Sequence, residues 1–295
     1  MPRLAIIFFL LSLPLSLDAI SQKITRTQLL MGNVSVSITI DTSAQKRIKA
    51  FKAMEKAFQE AKRIENTASE WQPNSQTSLL NKNAGKNWVP IGKDLTDILS
   101  FARKISEETD GAFDITFASH KKRANFKDVL VLPELHLAHL NKGVKISVSG
   151  IAKGYIVDTM SRLLIKEGFR HFLVDAGDIF AQGKWTVSLR DPKNPRGAPL
   201  ESLSINNQAI STSGNYERGN HLIDPKLKKP ATNLLSATVI APTSILADTL
   251  AKAVFILAAR HQEKLIWELS EKIPHISIVW IDSQSELHST ENPRQ

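Results

Sequence analysis

Hydrophobic and polar positions along this chain follow two periods, one typical of strands and one typical of helices. Residues 34–40 read Val-Ser-Val-Ser-Ile-Thr-Ile, a strict alternation that predicts a half-buried strand. Residues 41–43 are candidate N-cap residues, and beyond them apolar side chains recur at spacings of three and four, which predicts a long amphipathic helix. The apolar stripe of that helix consists of Ile48, Phe51, Met54, Phe58, Ala61 and Ile64.

The same two periods recur through the rest of the chain. Further helices are predicted from Asp94 to Gly111, from Gly150 to Gly168 and over 245–259. Strands are predicted over 129–132, 135–140, 144–148, 172–175, 185–189, 209–213, 237–241 and 276–281, and 119–127 is predicted to be a basic loop. Because meanders of strands mix with helices and no repeat or linker interrupts them, we predict an α+β fold. Residues 20–290 then form a single domain, with room for two lobes around one cleft.

The first nineteen residues have a different character. Arg3 is followed by an almost wholly apolar run from 4 to 17, broken by Pro14, and Ala19 stands at its exit, which is the pattern of a secretory signal peptide. We therefore expect an exported protein, periplasmic or otherwise extracytoplasmic, with retention by an uncleaved segment left open. The sequence has no cysteine, which excludes disulfides, thiolate metal sites and a lipoprotein anchor. The tail after Asn292 is polar.

The net charge of +9 suits a nucleic acid, a membrane surface or a polyphosphate ligand. Lysines and arginines are spread along helices and loops, without an arginine-rich tract or a recognisable nucleic-acid module, so no nucleic-acid partner is expected. We prefer a positive background that attracts an anionic small molecule, and ordinary solubilising charge remains an equal alternative. The hydrophobic content of 42% is enough to fill a core.

Two stretches with glycines carry polar groups that packing alone does not require. In Gly111-Ala112-Phe113-Asp114-Ile115-Thr116, a glycine cap ends a helix and an Asp and a Thr follow at a chain reversal, although a plain turn explains them as well. In Ser149-Gly150-Ile151-Ala152-Lys153-Gly154-Tyr155, small residues at a helix start leave backbone amides open to an anion and Lys153 adds a charge. The alternative there is an amphipathic helix start with a solvated lysine.

Two further stretches suggest catalytic groups. Hydroxyls cluster in Ser211-Thr212-Ser213, and His221 follows within a few residues, so a neutral imidazole near pH 7 could take a proton from a hydroxyl, with Asp224 orienting it. Asp248, near a helix start, either complements the helix dipole or supplies an oxygen ligand for magnesium.

Taken in order and spacing, these stretches resemble the ApbE family of FAD:protein FMN transferases. The resemblance runs from Met31-Gly32 to about Leu257. Besides the stretches above it includes Ser69-Glu70-Trp71-Gln72-Pro73-Asn74-Ser75 with Leu80-Asn81, Asp158, Gly177-Asp178, Ser211-Thr212-Ser213-Gly214 with Tyr216-Glu217, His221-Leu222-Ile223-Asp224-Pro225 and Ala247-Asp248.

The resemblance implies an α+β fold related to the T-fold, and an enzyme that cleaves FAD at its pyrophosphate with Mg²⁺. Such an enzyme transfers FMN to a Thr or Ser of a flavoprotein, often a membrane redox subunit, and releases AMP. His221 would be the catalytic base, and Asp248 the magnesium ligand together with the Gly150 carbonyl. By position, the residues that would line the FAD site are Met31, Trp71, Ala112, Phe113, Asp114, Ser147 and Lys153.

Several positions depart from the family pattern. Ser147 stands where an acid is usual, and Lys252 stands where a threonine usually follows the magnesium aspartate by four residues. Leu227-Lys228 replaces Thr-Gly, and Gln76 replaces an acid. Because Asp248 and Lys252 share a helix face, the ammonium could take the metal's place or pair with the carboxylate. A non-catalytic FAD-binding protein is therefore the alternative function, and a basic scaffold for anionic lipid or nucleic acid is a third.

Overall fold

The computed structural model describes residues 21–121, 123–216 and 219–290. Its helices are α1 (Arg47–Ala68), α2 (Gln76–Lys82), α3 (Lys93–Glu108), α4 (Ala152–Lys166), α5 (Ser244–Ala259) and α6 (Glu263–Lys272). Its strands are β1 (Ser21–Leu30), β2 (Val34–Ser43), β3 (Val89–Pro90), β4 (Val129–Leu132), β5 (Leu137–Leu140), β6 (Phe172–Asp175), β7 (Ile179–Leu189), β8 (Glu201–Gly214), β9 (Ile223–Asp224), β10 (Lys229–Pro230), β11 (Leu234–Ala241), β12 (Ser277–Asp282) and β13 (Leu287–Ser289).

A large antiparallel sheet is the framework of the fold. Its eight strands follow the order β1-β2-β6-β7-β8-β11-β12-β13, and every neighbouring pair is antiparallel. On β2 the alternation seen in the sequence is realised, since Val36, Ile38 and Ile40 are fully buried between partly exposed polar neighbours. The main sheet, a smaller sheet of order β3-β5-β4 and the helices confirm the predicted α+β class.

Helix α5 lies in the middle of the molecule. It packs on β8 and β11 and is covered by α4, which in turn packs on α1. Ala247, Ala251 and Ala253 are fully buried, and these small side chains allow the neighbouring elements to approach closely. Gly154 of α4 marks the tightest approach, because a Cβ atom there would lie 2.5 Å from the Ser244 carbonyl oxygen. The first turns of α4 and α5 are therefore held side by side.

Replacing Gly154 with alanine tests this close approach. At an open helical position alanine is more favourable than glycine by about 1 kcal/mol. Here the added methyl group would push against the α5 backbone, so we expect the free energy of unfolding to fall by about 1–3 kcal/mol, the usual cost of overpacking. Denaturant unfolding measures the sign directly, and a stabilised Gly154→Ala variant would contradict this packing.

Two details of the predicted elements are wrong. Residues 144–148 form no strand: the Asn81 amide brackets Ile146 by accepting from its N–H (2.8 Å) and donating to its carbonyl (2.9 Å), in the place of a strand partner. Ile48 is 72% exposed, because the buried face of α1 is completed by alanines such as Ala50, Ala53 and Ala57 and lies opposite Ile48.

Other boundaries shift without changing the architecture. The strand predicted from 135 begins at Leu137, after a short helical turn (Pro133–Leu135) and a left-handed His136. The elements that the periodicity did not indicate are β1, α2, β3, α6, β13 and the short pair β9 and β10. Within the described ranges no helix combines the length and apolar character needed to cross a bilayer. The predicted signal peptide (1–19) and the tail after 292 lie outside those ranges.

Candidate functional site

One deep cleft opens where the first turns of α4 and α5 meet the end of β8. Three stretches singled out in the sequence converge on it: the Phe-Asp corner, the glycine turn with its lysine, and the start of α5. The cleft wall includes Ala112, Phe113, Asp114, Ser147, Gly150, Lys153, Gly177, Thr212, His221, Asp248 and Lys252. Residues separated by more than one hundred positions in sequence thus form a single surface.

The Phe-Asp corner is held by the Asp114 carboxylate. Its Oδ1 accepts hydrogen bonds from the backbone N–H and the hydroxyl of Thr116, both at 2.8 Å, and its Oδ2 accepts from the Phe126 N–H at 2.9 Å. Burial raises the pKa of Asp114, although these hydrogen bonds offset part of the effect. The satisfied carboxylate fixes Phe113, whose ring is a wall of the cleft suited to an aromatic ligand.

Lys153 is anchored from behind by a buried acid. Its Nζ lies 2.6 Å from Oδ2 of Asp178, a fully buried residue whose Oδ1 also accepts a 2.5 Å hydrogen bond from the Ser211 hydroxyl. Burial and the nearby Asp248 raise the pKa of Asp178, whereas Lys153 opposes that rise. Lys153 is thereby held in one place with part of its side chain exposed to the cleft.

A second pair, Asp248 and Lys252, stands beside the first. Oδ1 of Asp248 bonds the Lys252 ammonium, and its Oδ2 accepts from the Gly154 N–H at 3.1 Å. Asp248 is fully buried, which by itself would raise its pKa, but Lys252 and Lys153 outweigh burial and lower it. Two buried carboxylates, each paired with a lysine, therefore form the charged floor of the cleft.

A divalent cation does not fit this donor set. Both oxygens of Asp248 are already engaged, and Mg²⁺ demands near-octahedral oxygen ligands at about 2.0–2.1 Å. An ion on the same carboxylate would lie only a few ångströms from the ammonium. Two unit charges at 4 Å repel by about 4 kcal/mol near a protein surface, and a divalent ion doubles that. The magnesium position that the resemblance implied, at Asp248 and Gly150, is occupied by the Lys252 side chain.

His221 lies at the rim of the cleft and is exposed. Its Nδ1 is 2.9 Å from the Gly219 carbonyl oxygen, which can only accept, so Nδ1 carries the proton and Nε2 is the basic nitrogen. The expectation that Asp224 orients this histidine is wrong. Nε and Nη2 of Arg260 donate to the Asp224 carboxylate at 2.6 and 2.5 Å. The same carboxylate accepts from the backbone N–H groups of Lys226 and Leu227.

Other predicted positions have distinct places. Ser147 donates to the Glu70 carboxylate and lies 2.8 Å from the Ser149 hydroxyl, so an acid from a distant part of the chain lies beside position 147. Trp71 and Met31 are not part of the described cleft wall, although both were expected to line the flavin site. Trp71 is 83% exposed one residue beyond Glu70, and Met31 packs against the core in the turn after β1. Glu217 lies outside the described residues.

Asp158 caps the helix that carries Asp248. Its two oxygens accept from the backbone N–H groups of Ser244 at 2.7 Å and Ile245 at 2.9 Å, the first residues of α5. Burial raises the pKa of Asp158 to about 6, against the lowering effect of these hydrogen bonds. The start of α5 is thus joined to the middle of α4 by a titratable group.

This cap predicts a pH dependence of stability. From about pH 4 to 6 the folded protein retains the Asp158 proton that the unfolded chain has released, so the free energy of unfolding falls as pH rises through that range. The decrease attributable to Asp158 is at most about 3 kcal/mol. Urea titrations at several pH values should show a shallower decrease for Asp158→Asn than for the unaltered chain. Parallel profiles would rule out this assignment.

The antiparallel sheet, the buried α5 and the cleft define a class: an α+β protein whose cleft combines an aromatic wall with two lysines that are each paired with a buried acid. Residues 31–276 match the family model described as ApbE family, and the chain belongs to that family. The resemblance seen in the motifs is thereby confirmed. Sequence similarity to curated proteins extends this finding.

Two relatives named FAD:protein FMN transferase illustrate it. The protein from Klebsiella pneumoniae (strain 342) is 27% identical over 243 residues, covering 68% of this chain and 69% of the relative. The protein from Escherichia coli (strain K12) is 26% identical over 220 residues, covering 60% of this chain and 63% of the relative. The chain therefore spans 69% and 63% of the length of these two relatives, about two thirds in each case.

Solved structures share the fold. The ApbE protein from Thermotoga maritima superposes with a TM-score of 0.81 at 24% identity, covering 92% of this chain and 97% of that one. The flavin transferase ApbE from Vibrio cholerae gives a TM-score of 0.77 at 17% identity, covering 91% and 96%. At these identities the similarity establishes the architecture.

Proposed function

We propose that this protein is an FAD:protein FMN transferase, which moves the FMN part of FAD onto a Thr or Ser hydroxyl of an acceptor flavoprotein. The observation that carries the proposal is the meeting of Phe113, Lys153 and His221 around one cleft, which supplies an aromatic wall, a fixed cation and a base. Family membership and the names of the relatives support the same reaction.

The two lysines place the pyrophosphate. Lys153 is fixed by Asp178 and Lys252 by Asp248, so both ammonium groups stay in the cleft without a ligand. FAD carries its negative charge on the two phosphates that link its halves, and charge-assisted hydrogen bonds from lysine are the strong type of contact for such groups. The flavin or adenine ring then lies against Phe113.

The transfer step follows from this placement. The acceptor hydroxyl oxygen attacks the phosphorus on the FMN side and forms a new P–O bond. The bond from that phosphorus to the bridging oxygen breaks, and AMP leaves with the bridging oxygen and its electron pair. Nε2 of His221 takes the hydroxyl proton, and the exposed rim where His221 stands admits a protein acceptor. No step is assigned to a magnesium ion, because the donor set at Asp248 does not fit one.

The setting of the reaction is also part of the proposal. The predicted signal peptide motivates an exported enzyme, and a membrane redox subunit is the acceptor class that the family suggests.

A direct assay tests the activity. The purified protein is incubated with FAD and an acceptor peptide that bears one threonine, with and without Mg²⁺. We expect AMP release together with a covalently fluorescent peptide, and a Thr→Val peptide should yield neither. If FAD binds but neither product forms under any condition, the alternative holds: a non-catalytic FAD-binding protein, which the substitutions at Ser147 and Lys252 favour.

A further inference from the structure

Lys252 is one of the two lysines of the charged cleft floor. It follows Asp248 by one helical turn on α5, and its Nζ bonds the Asp248 carboxylate and lies 3.1 Å from the Asp248 backbone oxygen. Asp248 is fully buried, whereas the Lys252 side chain retains 23% of its exposure. A carboxylate buried in this way requires a compensating cation, and the chain itself provides one.

The aliphatic stem of Lys252 is held in place as well as its ammonium group. A Cβ atom on Gly150 would lie 3.5 Å from Cδ and 3.7 Å from Cε of Lys252, and 3.5 Å from the Phe113 ring. The stem therefore crosses directly over Gly150 beside Phe113. This places the ammonium next to the glycine turn of Lys153, within the wall that the proposed FAD site uses.

We infer that the Lys252 ammonium is a built-in cation that replaces a divalent metal ion, so that this protein binds FAD without one. The inference rests on the proposed function for the identity of the ligand. An ammonium has three donors, and Asp248 engages two of them, through its carboxylate and its backbone oxygen. The third donor and the exposed part of the side chain serve the pyrophosphate.

The charges around Lys252 favour an ammonium group that stays on Asp248 over a Lys252 side chain that a metal ion displaces. For a metal ion to bind Asp248, Lys252 would have to leave its two contacts, and the ion would also meet the positive charge of Lys153, which already acts on the same carboxylate. Each lysine is paired with one buried acid, Lys153 with Asp178 and Lys252 with Asp248. The charges of these four side chains therefore cancel without an added ion. The phosphates then approach two partly exposed lysine side chains.

The first experiment is an FAD titration of the full protein, followed by flavin fluorescence, in EDTA and in excess Mg²⁺. For the unaltered chain we expect dissociation constants that agree within about twofold. For Lys252→Thr we expect affinity in EDTA to fall by about tenfold or more and to be restored by Mg²⁺. Lys252→Met, which keeps the aliphatic stem but not the charge, should bind FAD weakly both in EDTA and in excess Mg²⁺. Lys264→Met, on exposed α6, is the control for net charge.

A second readout does not depend on flavin. Mn²⁺ is titrated into each variant with inorganic pyrophosphate as the probe, and its bound fraction is measured by EPR. We expect binding in Lys252→Thr that is lost on adding Asp248→Asn, and none in the unaltered chain. Mn²⁺ bound by the unaltered chain in an Asp248-dependent way, or none bound by Lys252→Thr, would overturn the inference.

The two proposals fail in distinguishable ways. If no variant binds FAD in any buffer, the proposed function is wrong, and the Mn²⁺ measurement still decides the role of Lys252. If the unaltered chain binds FAD only with Mg²⁺, the proposed function is still supported, and the inference that Lys252 replaces a metal ion is wrong.

Discussion

Replacing His221 with asparagine should lower the rate of flavin transfer by about 10²–10⁴-fold, the usual contribution of a general base. FAD affinity should stay within about twofold, because His221 stands at the exposed rim and its fixed partner is the Gly219 carbonyl. Stability should hardly change, since an exposed side chain is removed. Single-turnover transfer to a threonine peptide, together with an FAD titration, separates the two effects.

His261→Asn is the matched control for this experiment. His261 is equally a histidine with an exposed side chain, 78% accessible, and it belongs to the turn after α5 and is not part of the cleft wall. Its substitution should leave both the rate and the affinity unchanged. An equal loss of rate in the two variants, or a full rate in His221→Asn, would remove His221 from the reaction.

The Lys153–Asp178 pair gives the second large effect. Lys153→Met removes the partner of a fully buried carboxylate, and breaking a buried pair in this way costs about 3–5 kcal/mol of stability. It also removes a cation from the proposed pyrophosphate site, so FAD affinity should fall by about tenfold to a hundredfold. Denaturant unfolding and flavin fluorescence measure the two losses independently.

A double variant separates stability from binding. In Lys153→Met/Asp178→Asn neither of the two positions carries a charge, and the Ser211 hydroxyl can still donate to the amide oxygen at position 178. We expect most of the lost stability to return, whereas the FAD affinity stays low because the cation is still missing. Recovery of both properties together would mean that Lys153 acts on flavin binding only through the fold.

The hydrophobic periodicity of the sequence predicted the helices and strands that bury only one face. Strand β2 alternates because one of its faces lies on the core, and α1 shows a stripe because its other face is solvated. The central helix α5 was found although it is apolar almost all round, because its length and alanine content favour a helix. The segment 144–148 has the composition of a strand, but its backbone partner is the distant Asn81 side chain. No local pattern records such a pairing.

The sequence predicted the segments that form the site but not most of the ion pairs within it. The sequence indicated the Phe-Asp corner, the glycine turn of Lys153 and the start of α5, and the structure brings them to one cleft. It indicated that Lys252 could pair with Asp248 on one helix face, and the structure shows that pair. It did not indicate the partners of Asp178 and Asp224. Asp178 pairs with Lys153 and Asp224 with Arg260 across long sequence separations, so charge alone could not assign them.

A crystal structure of the protein with bound FAD tests the central claim most directly. We predict the two phosphates between the ammonium groups of Lys153 and Lys252, a ring of FAD against Phe113, and the FMN-side phosphorus open towards His221. FAD seated on another face of the molecule, or in the cleft with its phosphates away from both lysines, would contradict it.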